Sequence, residues 1–313
     1  MVMLSETWKK LETLSKHTPN RFHDLFKVSI IIRAFDAERY IAEAVKSVMS
    51  QTYEGPIEIL ICFDMGSKTL EALEIVNKIA QENTRKNVYF KIIKHPHMSP
   101  FRSLVECGLK NASGDYIGFL DHDNIYSRTF VEKLLKKMIE YDADVAVGRT
   151  IFVDEFLNPI SSRKISDLKI NLRRLLIGGN LMDTSSMILS KKCAEKLISI
   201  VEKYLKNRYF DWLHEDYFLS LIIAKEKFKV VFTDETFYLY RIRQASTTGM
   251  PRYNDVRYYF SLERSIKTLI AFYVAYQDKL TTLEKLTLYV ALIRRMCVLL
   301  YGILKWIFVR KES

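Results

Sequence analysis

Short apolar runs, each followed by a polar bend and then a stretch with helical spacing, constrain this chain more than any other feature. The first run, Val28-Ser29-Ile30-Ile31-Ile32, enters the bend Arg33-Ala34-Phe35-Asp36, and Ile41, Ala44, Val45 and Val48 then recur at helical intervals. Gly55-Pro56 punctuates the chain before a second run at 57–63. Asp64-Met65-Gly66-Ser67 opens the next helix, with Ser67 as N-cap and Leu70, Leu73, Val76 and Ile79 on its inward side. The pattern continues as strand at 88–93, helix at 101–111, strand at 116–120, helix at 130–141 and strand at 144–147. Apolar strands alternating with helices predict an α/β fold, a mostly parallel sheet covered by helices on both faces. Ligands of such sheets gather beyond the carboxyl ends of the strands.

After Arg149 the rhythm weakens. Residues 150–181 hold Asn158-Pro159, Ser161-Ser162 and Gly178-Gly179-Asn180, which reads as an excursion over the sheet edge suited to ligand contacts. Extended structure is expected at 185–189, helices at 192–205 and 215–225, and short strands at 230–232 and 236–240. Residues 256–275 and 282–309 are again helical, the latter carrying Leu286, Tyr289, Val290, Ile293, Met296, Leu300, Ile303, Leu304 and Ile307. Two readings of that apolar stripe stay open. It packs against the main domain or a sister subunit, forming a homodimer, or it lies on an anionic membrane surface, with Trp306, Phe308 and basic residues at the headgroup boundary. The expected organisation is an N-terminal helical extension at 1–26, a main domain at 27–250 with halves 27–123 and 124–250, and C-terminal amphipathic helices at 251–313.

With 313 residues, 49% of them hydrophobic, the chain can bury a sizeable core. Its net charge of +11 is unevenly placed, since 251–313 holds eleven Lys or Arg against five Asp or Glu. That excess suits an anionic membrane, a phosphorylated ligand or nucleic acid. The absence of zinc-finger spacing, of an RNP-like aromatic strand and of a compact basic reading helix argues against nucleic acid. Cys62, Cys107, Cys193 and Cys297 are too widely spaced for a metal knuckle or a Cys-x-x-Cys pair and are expected to be buried free thiols, which suits a reducing compartment. Charged residues interrupt 1–26 throughout and no eighteen-residue apolar run occurs, so neither a cleaved signal peptide nor a spanning helix is expected. The expected location is the cytoplasm, with peripheral contact at the cytoplasmic face of the membrane.

The residues most informative about chemistry are Asp121-His122-Asp123, directly after Tyr116-Ile117-Gly118-Phe119-Leu120. Aspartate is costly within a buried strand, but at its carboxyl end two carboxylates spaced i, i+2 can turn toward one edge. A hard divalent cation balances their charge and keeps positions open for diphosphate oxygens. Asp123 is the preferred direct ligand, Asp121 a second ligand or a contact to ribose or metal-bound water, and His122 a ligand or a side chain lining the turn. Further on, Asp211, Glu215 and Asp216 cluster. Asp216 in a first helical turn is either the base that takes a proton from an attacking hydroxyl or simply dipole-favourable charge.

In order along the chain, Val28 to Asp36, Ser47-Val48-Met49-Ser50-Gln51-Thr52-Tyr53, Asp64-Met65-Gly66-Ser67 and Gly108 to Asp123 resemble the opening, Ser-Val-x-x-Gln-Thr segment, Asp-Asp-Gly-Ser turn and Asp-x-Asp strand of the family 2 glycosyltransferases. The resemblance is clear over 27–123 and extends to Ser246. It implies a GT-A fold, a Rossmann-like sheet flanked by helices with a helical C-terminal extension. It also implies inverting transfer of a sugar from a nucleotide-diphosphate donor, UDP by family frequency, to a hydroxyl of a glycan, lipid-linked or other glycoconjugate acceptor. By carry-over, Ala34, Phe35, Asp36, Asp64 and Ser67 hold the nucleotide, Asp121 and Asp123 the diphosphate through Mn²⁺ or Mg²⁺, and Asp216 is the general base. Thr184-Ser185-Ser186 matches a segment near the acceptor, and Tyr240 to Ser246, with Arg241 and Arg243, matches a loop that closes over the diphosphate.

The chain also departs from the family. Proline is replaced by Arg33, asparagine by Asp36, the second carboxylate of the nucleotide turn by Met65, and a late histidine by Arg243. Methionine cannot accept from a uracil N–H as a carboxylate does. Arg243 is either a direct diphosphate contact or a surface side chain. Competing functional classes are a nucleotidyltransferase, whose glycine-rich basic loop is missing after the first strand, and a non-catalytic sugar- or nucleotide-binding protein retaining the fold.

Overall fold

The computed structural model describes residues 26–65, 69–204, 211–243 and 256–309. The expected helical extension at 1–26 and the proposed cap Ser67 lie, apart from Phe26, outside the described residues. Strands β1 (Val28–Ala34), β2 (Ile57–Asp64), β3 (Val88–His95), β4 (Tyr116–Asp121), β5 (Ile125–Tyr126), β6 (Val145–Val153), β7 (Pro159–Ser162), β8 (Met187–Ser190) and β9 (Val230–Arg241) form one sheet. Its order is β3-β2-β1-β4-β8-β6-β9-β5, with β7 paired to β6. Where strand and helix alternate regularly the pairing is parallel, β1 with β2 and β4, and β2 with β3. The short β8 lies antiparallel between β4 and β6, so the sheet is mixed. The two strand candidates after residue 229 are one strand, β9, parallel to β6 with a register shift between Gly148 and Arg149.

Helices α1 (Ile41–Met49), α2 (Thr69–Gln81) and α3 (Phe130–Glu140) cover one face, above Ile30, Ile32, Ile59 and Ile61. The other face, carrying Ile31, Leu60 and Phe119, is covered by α4 (Leu172–Gly178), α5 (Lys191–Val201), α6 (Glu215–Lys225), α7 (Val256–Tyr276) and α8 (Thr282–Val309). Side chains alternate between faces, so a strand buried on both reads as an unbroken apolar run. Residues 101–111, expected as an ordinary helix, form the turn Pro100–Arg102, capped by Ser99, followed by the π-helix Ser103–Leu109. The following Ser113-Gly114-Asp115 segment locks β4 to β1. Ser113 donates from its backbone N–H and hydroxyl to the two Glu58 oxygens, Gly114 N–H donates to Ser29 Oγ, and Asp115 Oδ2 accepts from Lys27 N–H.

Two expectations are corrected by tertiary packing. Cys62 of β2 and Cys107 of the π-helix are not free thiols. They are 45 positions apart in sequence, but the π-helix packs on the sheet so that their Cα atoms lie 6.0 Å apart, and the pair is disulfide-bonded. Cys193 is buried and free, and Cys297 is exposed. The case for a reducing compartment built on four buried thiols therefore falls. On α8, the face packed on the domain is not the stripe picked out from the sequence. Leu288 and Ala291 are fully buried, and Arg295 donates to Leu176 O and Ser265 Oγ, both at 2.9 Å. Leu286, Val290, Ile293, Met296 and Leu300 are half or more exposed. The helix is apolar on two sides, and only contact with α4 and α7 selects which is buried.

The close approach at Gly114 is testable. A Cβ there would lie 2.6 Å from Ser29 N and 2.7 Å from Tyr116 O, both backbone atoms without slack. Gly114→Ala is expected to lower stability by about 1–3 kcal/mol, read as a shifted urea midpoint with an unchanged slope.

Candidate active site

At the carboxyl ends of β1, β2 and β4 lies a cavity of about 540 Å³, and a second of about 460 Å³ adjoins it. Asp121, Glu215, Tyr240, Arg264 and Pro100 line both and form the wall between them. Asp64, His122, Asp123 and Arg243 face only the first, and Asn180, Asp183 and Asp216 only the second.

The first cavity gathers most of the residues expected to hold a nucleotide. Ala34, Phe35 and Asp36 line its rim where β1 ends, and Asp36 takes a left-handed turn with φ 43°. Asp64, at the end of β2, binds His97 Nδ1 through Oδ2 at 2.9 Å, while its buried Oδ1 has no partner. The His97 ring packs against Phe35 with centroids 5.1 Å apart. Two further buried polar atoms on the same cavity, His122 Nε2 and Arg243 Nε, also lack partners. Native interiors pair such atoms with protein or ordered water, so three on one cavity, without a partner among the described residues, suit a polar occupant.

Asp121 and Asp123 are each held by an arginine. Arg33 Nη2 lies 2.6 Å from Asp121 Oδ1, and its Nη1 lies 2.8 Å from Glu215 Oε1. Burial, the largest single influence, raises the Asp121 carboxyl, but the charge and hydrogen bond of Arg33, with His122 and Ser185, together outweigh it and hold it below the ordinary range. Arg243 Nη2 lies 2.7 Å from Asp123 Oδ2. Arg241 stands apart from its neighbour and is corrected as a donor contact. It is 3% exposed and lines neither cavity, and its guanidinium donates to Asp123 O, Glu155 O and the Glu43 carboxylate. It anchors β9 to α1 and to the turn after β4.

Thr184-Ser185-Ser186 forms one 3-10 turn leading into β8. There Ser185 Oγ accepts from Asp121 N–H and Asn124 Nδ2, both at 3.2 Å, tying the turn to the end of β4. Asp216 lies in the first turn of α6, accepting from Tyr217 N–H at 2.7 Å and from Asn180 Nδ2 at 2.8 Å. Burial, then the charges of Glu215 and Asp183, push its carboxyl up to about 8. Burial raises Asp183 as well.

Several site residues were not visible as such in sequence. Arg33 stood out only as a replacement for proline. His97, Asp183 and Arg264 belong to no pattern, because they reach the cavities from three separate parts of the chain, whereas Asn180 lies in the excursion marked out for ligand contacts.

The sequence profile of Glycosyl transferase family 2 matches residues 29–198, more than half of the chain. The chain belongs to this family. Nucleotide-sugar-dependent glycosyl transfer is thereby supported as its activity. Among related glycosyltransferases, GlyA of Streptococcus pneumoniae serotype 4 is 29% identical over 235 residues, covering 70% of this chain but only 31% of GlyA. The Escherichia coli UDP-Glc:alpha-D-GlcNAc-diphosphoundecaprenol beta-1,3-glucosyltransferase WfgD is 27% identical over 65% of this chain and 72% of its own length. Two solved structures share the fold. They are S. aureus TarS 1-349 in complex with UDP-GlcNAc, with TM-score 0.54, 15% identity and coverage of 87% and 81%, and the mannosyltransferase PcManGT from Pyrobaculum calidifontis in complex with GDP-Man and Mn2+, with TM-score 0.59, 10% identity and coverage of 99% and 83%.

The raised Asp216 carboxyl has a signed consequence for stability. Between the ordinary carboxylate range and about 8 the folded state holds a proton that the unfolded state has released, so this group's contribution to stability falls as pH rises. Asp216→Asn removes that loss. Its melting temperature is expected to gain on the unsubstituted chain between pH 5 and pH 9, as read by calorimetry, and a gap independent of pH would contradict the assignment.

Proposed function

We propose that this family 2 glycosyltransferase transfers a sugar, with inversion, from a nucleotide diphosphate to a hydroxyl of a glycan or lipid-linked acceptor. The observation that carries this reading is the division of labour across one wall. The Asp123–Arg243 pair opens only on the first cavity, and Asp216 opens only on the second. Inversion requires the leaving diphosphate and the attacking hydroxyl on opposite sides of the sugar, and adjoining cavities with these side chains suit that geometry. In the first, Phe35, His97 and Asp64 take the base, and Arg243 takes diphosphate oxygens. In the second, Asp216 in its ionised form, which gains population as pH rises toward about 8, receives the proton of the acceptor hydroxyl as attack develops. Asn180 and Tyr217 N–H orient its carboxylate.

Among the described residues no three His, Cys, Asp or Glu side chains converge as a complete metal cage. Two carboxylates on a polar cavity fit a hard cation that completes its shell with substrate oxygens and water. Asp121 and Asp123 would hold Mn²⁺ or Mg²⁺, which when bound supplies positive charge to the departing diphosphate. UDP is the preferred donor nucleotide, by family frequency and by likeness to WfgD, named for UDP-Glc, and to TarS, bound to UDP-GlcNAc. WfgD is also named for a lipid-diphosphate acceptor. For this chain the matching feature is the exposed apolar face of α8 within a basic segment, which complements an anionic lipid surface and keeps the enzyme on the cytoplasmic face. Among the described residues no helix is long and apolar enough to cross a membrane.

A donor panel with Mn²⁺, read by release of nucleotide diphosphate, tests the site. Asp123→Ala is expected to lose donor binding, whereas Asp216→Asn keeps it and loses turnover by about 100-fold or more. Full turnover by Asp216→Asn would sink the base assignment. Co-sedimentation with phosphatidylglycerol vesicles tests α8. The triple change Leu286→Ser, Ile293→Ser, Leu300→Ser is expected to release the protein from vesicles. If it instead converts a dimer to a monomer and leaves vesicle binding intact, the face is an interface between copies.

A further inference from the structure

The two carboxylates that would hold a cation are already paired, and the partners are unusual. Arg33 stands where the resembling sequences carry proline, and Arg243 where some carry histidine. Arg33 is 14% exposed in its side chain and Arg243 25%, so neither pair is a solvated surface bridge of negligible strength. The Arg33 fork spans Asp121 and Glu215, and Arg243 leaves its buried Nε unpartnered on the cavity. Three ion pairs join the carboxylates of Asp121, Asp123 and Glu215 to the guanidinium groups of Arg33 and Arg243.

From this geometry we infer that Arg33 and Arg243 are resident counter-ions of the donor-site carboxylates, so that a divalent cation enters only together with a nucleotide diphosphate. The inference rests on the donor reading above. A cation arriving alone would have to displace a guanidinium hydrogen-bonded at 2.6 Å or 2.7 Å and then sit beside its positive charge, in a partly buried place where Coulomb repulsion is weakly screened. A diphosphate removes both obstacles. Its oxygens offer the planar fork of Arg243 a new acceptor, including one for the orphaned Nε, and its negative charge balances the ion. Arg33 need not leave the site, because its bond to Glu215, a residue of the wall, keeps it in the first cavity when Asp121 is taken over. The device would keep the ion from occupying an empty site and would impose an order on binding.

The test measures Mn²⁺ binding by calorimetry and electron paramagnetic resonance on the full chain, with and without saturating UDP. The unsubstituted protein is expected to show saturable Mn²⁺ binding only with UDP. Arg33→Gln and Arg243→Gln should each bind Mn²⁺ without nucleotide at least about tenfold more tightly than the unsubstituted chain, while Arg33→Lys, which keeps the charge, should not. Equal Mn²⁺ affinity with and without UDP in the unsubstituted chain overturns the inference, as does a Gln variant, folded by circular dichroism, with unchanged nucleotide-free affinity. If Arg33→Gln fails to fold, Arg243→Gln decides alone. A chain that binds neither UDP nor GDP, with or without Mn²⁺, overturns the donor reading itself. One that binds UDP and Mn²⁺ independently overturns only the counter-ion role.

Discussion

The guanidinium of Arg33, wedged between the Asp121 and Glu215 carboxylates, is the contact on which the functional half of the molecule depends. Four acidic side chains, Asp121, Asp183, Glu215 and Asp216, line one cavity, and burial opposes ionisation of Asp121, Asp183 and Asp216. Arg33 separates their fates. Beside it Asp121 is held ionised, while Asp216, one residue past Glu215 and without an arginine of its own, is pushed up to about 8. Two carboxyl groups at one site thus become suited to different tasks, one to hold positive charge and one to exchange a proton, through their surroundings alone.

The fold places these groups by ordinary means. Strands buried on both faces end together, so β1 and β4 deliver Arg33 and Asp121 in register, and Arg33 pairs directly across from Asp121 in the ladder. The antiparallel β8 brings the Ser185 turn against the end of β4, and α6 presents Glu215 and Asp216 at its N-terminus, where the helix dipole favours negative charge. Helix α7 closes the wall with Arg264, which stacks over Trp212 at 5.8 Å. Helix α7 is therefore part of the site as well as part of the packing.

Much of this was legible in sequence, for identifiable reasons. Strands β1, β2 and β4 were readable because burial on both faces leaves little room for polar residues, the edge strand β3 from its run of apolar residues, and the Asp-x-Asp position because carboxylates are tolerated only where such a strand ends. Less of the second half was readable. Strands β7 and β8 are short, β8 reverses direction, and β9 joins two segments through a register shift. Arg241 and Arg243 look equivalent on paper, and strand alternation would put both on one face, yet β9 ends at Arg241 and the chain beyond it leaves strand geometry, so one is buried in the protein and the other lines the cavity. Likewise α8 carries apolar residues on two faces, and spacing cannot say which one a neighbour will cover.

By itself the sequence determined the layered α/β architecture, the sites of its strand ends and the presence of paired carboxylates there, since periodicity and the cost of buried charge are properties of local order along the chain. Only the tertiary structure decided that Arg33 meets Glu215 across 182 positions, that Cys62 meets Cys107, and that Asp216 sits among other acids and gains a shifted proton affinity. Coulomb interaction and desolvation depend on distance in space, and no pattern along the chain carries that distance.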